Sequence, residues 1–162
     1  MRKAAILLLL IITTISCDTN RVYDRYQTIQ NGWNIQEPVQ FEISDVDSIT
    51  PYNVFIKVRN TNDYKYSNLF LITRMNFPNG KQITDTLEYV MATPEGAWLG
   101  TGFNDIKENK LWYKEGVRFR ESGTYQFSIE HAVRKNGNIT GDERLEGITE
   151  VGLRIERPQN QE

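Results

Sequence analysis

The sequence predicts an all-β protein: a single antiparallel β-sandwich domain behind a lipoprotein-type signal peptide. Three observations predict the sandwich. Seven short segments alternate apolar with polar residues, and their apolar positions are rich in aromatic and β-branched side chains. Turn-forming residues separate the segments. No stretch carries the period of a useful amphipathic helix, and no internal repeat is present. Short strands joined by turns bury their apolar faces as two stacked antiparallel sheets, with a flattened barrel as the alternative closure.

The chain divides into a signal segment 1–16, a tether and irregular lead-in 17–37, a sandwich domain 38–157 and a polar tail 158–162. Met1-Arg2-Lys3 is a short positive stretch and Ala4 to Ile12 is continuously hydrophobic. Crossing a bilayer takes about 20 apolar residues, so this run has the length of a signal-peptide core. Thr14-Ile15-Ser16-Cys17 resembles a lipobox, with Thr14 where leucine is usual. Cys17 is then the lipidated first residue of the mature chain. The lead-in is polar, except that Asn31-Gly32-Trp33 reads as a turn followed by an anchoring aromatic.

The first strand alternates Val39, Phe41 and Ile43; the second Tyr52, Val54, Ile56 and Val58. The third carries Leu69, Leu71, Met75 and Phe77, and Pro78-Asn79-Gly80 turns it into the fourth, with Ile83, Leu87, Tyr89 and Met91. Leu111, Tyr113, Val117 and Phe119 form a fifth strand interrupted near Glu115-Gly116. Glu121-Ser122-Gly123 precedes the sixth, with Tyr125, Phe127, Ile129 and Val133, and Asn136-Gly137 follows it. Lys135 to Gly147 holds a hairpin or one helical turn. Val151, Leu153 and Ile155 form the seventh strand.

Composition narrows the chemistry. Removing 16 of the 162 residues leaves 146, enough for one domain. Without Arg2 and Lys3 the mature part has 17 basic against 21 acidic side chains, which gives no basic excess for nucleic acid. A single cysteine excludes an internal disulfide and a Cys/His metal site, and no cofactor is expected. His131, the one histidine, shares the apolar parity of its strand and reads as a packed, hydrogen-bonded core residue. Asp85 lies on the apolar parity of the fourth strand, where it needs the strand's solvated end or bonds from Thr84 or Thr86. Asp45 and Asp47 read as a solvated loop, and Asn60-Thr61-Asn62-Asp63 as a turn. Gly100-Thr101-Gly102 lacks the strand–turn–helix context of a phosphate loop and reads as a tight bend. The outward parity carries Lys57, Arg59, Arg74, Arg118, Arg134 and Arg154 with Glu42, Glu88, Glu130 and Glu156, read as a solvated face of cross-strand pairs.

The segment Trp98 to Tyr113 concentrates aromatic mass in a connection longer than a hairpin needs. Such a cluster either closes one end of the core or offers a binding surface. Trp98, Leu99, Phe103 and Trp112 are the candidate partner-binding residues, with Lys107, Glu108 and Lys110 as rim.

A series of motifs resembles the gliding-motility lipoprotein GldH family of Bacteroidota. In order they are Asn31-Gly32-Trp33, Val58 to Tyr64, Ser67 to Leu71, Asp85 to Tyr89, Trp98 to Gly102, Ile106 to Tyr113 and Leu145 to Ile148 before Val151-Gly152. The resemblance implies a lipid-anchored, non-catalytic interaction or assembly component of gliding-motility and associated secretion machinery. It implies other envelope proteins as partners, no small-molecule substrate and no catalytic residues. Asp18-Thr19-Asn20-Arg21 lacks the acidic cluster of surface-exported lipoproteins, which favours the periplasmic face, on the outer rather than the inner membrane. The alternative function is a carbohydrate-binding lipoprotein of a glycan-uptake system, with Trp98 and Trp112 as stacking faces.

The anchor has a direct test. One acyl chain binds a membrane marginally, at about 0.8 kcal/mol per buried CH₂, whereas two or three hold a protein stably. Mass spectrometry of the mature amino-terminal peptide is expected to find Cys17 diacylglycerol-modified, and Cys17→Ala is expected to leave an unlipidated precursor. An unmodified Cys17 contradicts the reading.

Overall fold

The computed structural model describes residues 19–135, 137 and 139–159. The signal segment 1–16, Cys17, Asn136 and the last three residues of the tail lie outside the described residues. The ten described strands are β1 (Arg21–Thr28), β2 (Trp33–Asn34), β3 (Val39–Ile43), β4 (Tyr52–Asn60), β5 (Asn68–Asn76), β6 (Gln82–Val90), β7 (Lys107–Val117), β8 (Tyr125–His131), β9 (Arg144–Leu145) and β10 (Ile148–Glu156). One sheet has the order β1-β10-β4-β7, the facing sheet β3-β8-β5-β6, and β2-β9 forms a small ribbon. Every pairing is antiparallel. The all-β sandwich expected from the sequence is therefore present, and no described residue is helical.

Alternation builds the core. Val54, Ile56 and Val58 of β4, with Val151, Leu153 and Ile155 of β10, face Leu69 and Leu71 of β5 and Phe127 and Ile129 of β8. Each such side chain contributes about 1.5–3 kcal/mol on burial. The Pro78-Asn79-Gly80 hairpin forms as expected: Phe77 N–H donates to Lys81 O at 2.8 Å, and Gly80 takes φ +86°. Asn79 Oδ1 accepts from Lys81 N–H at 2.9 Å.

Three short or polar strands differ from the sequence reading. Within the described part of the lead-in, β1 occupies Arg21–Thr28 and β2 Trp33–Asn34, so those stretches are strand. β1 is an edge strand whose Asp24 and Tyr26 face a charged surface, so it lacks apolar alternation. It pairs with β10 by setting Tyr26 opposite Gly152. A side chain at Gly152 would sit 2.7 Å from the Tyr26 ring and 2.8 Å from Arg25 O, so only glycine lets that ring lie across the sheet. Within 135–147 lies β9, whose Leu145 pairs with Trp33. β7 begins at Lys107 rather than Leu111, and its register with β4 slips twice near Tyr113 and Gly116. Bulges there explain the interrupted alternation.

The outward charges of the first sheet are not a solvated face. Lys57 is only 7% exposed. Its Nζ lies 3.0 Å from Glu108 and 3.6 Å from Asp24, and 4.6 Å from the Tyr26 ring centroid. Arg59 adds Glu108 and Glu150, Arg154 adds Asp24 and Glu156, and Lys110 adds Glu156 at 2.8 Å. Burial pushes the Lys57 ammonium down, but Tyr26 and Glu108 outweigh that and hold its pKa above the ordinary value. The aromatic rings of β1 and β4 cover the network, which period-two counting does not show.

Candidate functional site: the end of the sandwich remote from the chain's entry

β4 ends, β5 begins, β7 begins and β10 begins at one end of the sandwich. β1 enters at the other, where Arg21 pairs with Glu156 and Glu156 with Asn53. Nine-residue strands separate the two ends by about 30 Å.

The remote end is organised by two buried amides. Asn60 closes β4 and Asn109 sits inward on β7. Asn109 Nδ2 donates to Asn60 Oδ1 at 2.9 Å and to Val58 O at 3.1 Å, and Asn60 Nδ2 donates to Thr61 O at 3.2 Å. Buried amides without such partners cost several kcal/mol, so this mutual satisfaction fixes the start of β7 against the end of β4. Gly100 packs directly on Asn109, where a Cβ would stand 2.7 Å from Oδ1. Thr101 then pairs with Glu108 through bonds of 2.9 and 2.7 Å.

The Asn60–Asp63 segment is a turn, as expected. Tyr64 N–H donates to Thr61 O at 3.2 Å and Asp63 N–H to Thr61 Oγ1 at 3.3 Å. The turn rests on Gly147, whose carbonyl accepts from Thr61 N–H at 2.8 Å. Gly147 has φ +79°, and a Cβ there would fall 2.1 Å from Tyr64 N. Tyr64 is buried, donates to Asn68 O at 2.7 Å, and packs on Tyr66 and Trp98 at 5.9 and 6.1 Å between ring centroids. Asn62 ties the long loop to this turn: its Oδ1 accepts from Trp98 Nε1 at 2.9 Å and its Nδ2 donates to Asp105 at 3.2 Å. Lys107 Nζ caps the same loop by donating to Gly102 O and Asn104 O.

The candidate residues separate. Trp98 is half-buried and held. Leu99 and Phe103 project from the loop, 54% and 94% exposed. Trp112 is 50% exposed but lies five residues past Lys107 along β7, on the outer face, edge-on to Phe55 at 4.8 Å. Trp98 and Trp112 therefore do not line one groove. Lys110 crosses to Phe55 at 4.0 Å from the ring centroid and pairs with Glu156, while Glu108 belongs to the Lys57–Arg59 network.

His131 is buried, as expected. The Trp33 carbonyl accepts from its Nε2 at 3.0 Å, the two rings meet edge-on at 5.3 Å, and burial holds its pKa below the ordinary histidine value. Asp85 finds its partners on the opposite sheet rather than at Thr84 or Thr86. Tyr113 OH donates to it at 2.6 Å and Lys114 Nζ lies at 2.7 Å. Burial would raise the Asp85 pKa, but those two bonds outweigh it and keep the carboxylate below its ordinary value. Among the described residues no group of three or more His, Cys, Asp or Glu is placed to hold a metal ion.

A family model described as GldH lipoprotein matches residues 21–155. The chain belongs to the GldH lipoprotein family. It is 55% identical over 163 residues to the gliding motility lipoprotein GldH homolog of Christiangramia forsetii, covering 99% of this chain and 100% of that protein. It is 46% identical over 157 residues to the gliding motility lipoprotein GldH of Flavobacterium johnsoniae, covering 97% and 98%. Among solved structures, the VP2 subviral particle of infectious bursal disease virus aligns over 86% of this chain and 31% of that one, with 15% identity and a TM-score of 0.35. Most of the motifs that carried the family resemblance meet in space, whereas Asp85–Tyr89 runs along β6. Val58–Tyr64, Ser67–Leu71, Trp98–Gly102, the start of Ile106–Tyr113 and Leu145–Ile148 all contribute to the remote end, with Trp33 beneath them through Leu145.

The glycine contacts give a test. Gly147→Ala is expected to cost at least about 3 kcal/mol, since the new carbon would overlap backbone at a positive φ. Gly96→Ala, which meets nothing within 4 Å, is expected to cost about 1 kcal/mol for its positive φ alone. Urea unfolding of both variants measures the difference.

Proposed function

We propose that this chain is a lipid-anchored, periplasm-facing, non-catalytic assembly component of gliding-motility and associated secretion machinery, and that the remote end is its partner-binding surface. The observation that carries the reading is the meeting of the family's motifs at that end, around Asn60, Asn109 and Gly147. The anchor position supports it. Cys17 is four residues before Arg21, so lipid on Cys17 would hold the β1 entry within about 14 Å of the attachment point. The motif end would then point away from the membrane, presenting Leu99 and Phe103 to proteins in the periplasm. An exposed apolar pair on a loop tied down by Asn62, Lys107 and Thr101 suits docking, because little conformational freedom remains to be lost. The sealed His131 and the Lys114-paired Asp85 support a role without catalysis.

Complementation of a gliding strain that lacks its own GldH lipoprotein tests this. Leu99→Ala with Phe103→Ala is expected to leave the melting temperature within a few degrees of the parent and to abolish colony spreading. An interface hot spot costs about 2 kcal/mol or more on truncation. Trp98→Ala is expected to lower stability, since its indole is part of the loop's attachment. Normal spreading by the folded Leu99/Phe103 variant contradicts the proposal.

A further inference from the structure

We infer that the free edge of β6 receives an extended segment of a partner protein as an added strand. The inference extends the reading of the chain as an assembly component, but it concerns a different surface from the Leu99–Phe103 loop.

β6 differs from the other sheet edges. β1 slips register near its start, and Gln27 of β1 donates to the carbonyl of Gln40 in the short β3. β7 is covered by Thr101 at Glu108 and bulges twice. Bulges, short strands and covering segments are how proteins protect edges. β6 has nine residues, no proline and an unbroken register with β5.

The bond pattern shows which groups are open. Phe77 N–H donates to Lys81 O and Met91 N–H to Ser67 O, and both pairs fall in the β5–β6 register. Bonded pairs alternate in an antiparallel ladder, so the odd residues of β6 bond β5. The N–H and C=O groups of Thr84, Thr86 and Glu88 therefore face outward along the edge. Among the described residues no other backbone group pairs with them.

The chain itself begins such an addition and abandons it. Its return after β6 bonds Leu99 N–H to Met91 O at 2.9 Å and bridges Trp98 with Ala92, then departs at Gly100 toward β7. Beyond that departure lies an open groove lined by Val90, Leu99, Lys110 and Leu111. Val90 is 65% exposed on the outer face of β6, and Leu87 and Tyr89 are partly buried on its inner face. Asp85 faces inward on this edge strand, an arrangement that discourages indiscriminate pairing. A row of alternating N–H and C=O groups is complemented by another extended backbone. The fitting segment alternates, with apolar residues over Leu87 and Tyr89 and small or β-branched residues beside Thr84 and Thr86.

The membrane anchor argues against a second copy as the occupant. In the orientation of the proposed function, with the remote end away from the membrane, antiparallel pairing of two β6 edges would lift one β1 entry about 30 Å from the surface, beyond the roughly 14 Å that the four residues from Cys17 to Arg21 can reach. Parallel pairing needs a one-residue stagger that no two-fold axis supplies.

Amide hydrogen exchange tests the inference on lipoprotein purified alone and on lipoprotein solubilised from its envelope with bound partners. The amides of Thr84, Thr86 and Glu88 are expected to exchange at least about tenfold more slowly in the complex, with the odd-numbered β6 amides protected in both. Thr86→Pro removes an edge donor without breaking a β5 bond. It is expected to stay folded and to lose the protection at Thr84 and Glu88. If it does not fold, Thr86→Lys, which places a charge on the edge, is read the same way. Equal exchange of the even-numbered amides in both preparations overturns the inference, as does retained protection in a folded Thr86→Pro variant. A photo-crosslinker at position 84 that joins only two copies of this chain also overturns it. Loss of function in the Leu99/Phe103 variant together with unprotected β6 amides would leave the proposed function standing and remove only this site.

Discussion

Two side-chain amides, buried where β4 ends and β7 begins, set the geometry of the sandwich's remote end. Asn60 and Asn109 satisfy each other and the Val58 carbonyl, and leave no room for a side chain at position 100. That contact brings the long loop back onto the start of β7, and Thr101 then pairs with Glu108. On the other flank, Gly147 lets the 145–148 turn touch the backbone of Tyr64. Tyr64 in turn supports Trp98. The loop that displays Leu99 and Phe103 is thus the outermost layer of a stack whose base is a polar pair inside the core. Polar groups in that position specify one arrangement because any other leaves an amide unsatisfied.

The same chain solves a different problem on the outer face of its first sheet. Lys57, Arg59 and Arg154 stand among Asp24, Glu108, Glu150 and Glu156, and Tyr26 lies across Gly152 beside them. Removing one partner from a buried charged group typically costs about 3–5 kcal/mol, since the remaining charge keeps its desolvation penalty. The network therefore links β1 to β4 and β7, which carry the remote end. It ties the outer face of the sheet together from its β1 edge to β7.

Much of the sandwich was legible because period-two alternation reports directly on a half-buried strand. Val39-Phe41-Ile43 and Tyr125-Phe127-Ile129 announce themselves, and Asn79-Gly80 fixes the hairpin between β5 and β6. β1 was not legible, because Arg21 to Thr28 alternates against a charged layer instead of solvent and its apolar count is low. β2 and β9 are two residues each, too short for any period. The partners of Asp85 lie on the facing sheet, and a parity count sees only one strand. At the remote end the motifs were visible as separate words; their meeting depends on the order of four strands, which alternation does not encode. The exposure of Leu99 and Phe103, and the division of Trp98 from Trp112, follow from where Thr101 and Glu108 pair.

The central claim is that the end built on Asn60, Asn109 and Gly147 is covered by a partner in the envelope. Cys17 is the only cysteine, so a cysteine introduced elsewhere reports alone once Cys17 carries lipid. Maleimide labelling rates of Phe103→Cys at the loop and Gln40→Cys on the opposite edge of the sandwich can be compared between envelopes with permeabilised outer membranes and the purified lipoprotein. The account predicts that Phe103→Cys labels at least about tenfold more slowly in the envelope, while Gln40→Cys labels alike in both. Equal rates for Phe103→Cys in the two preparations would contradict it.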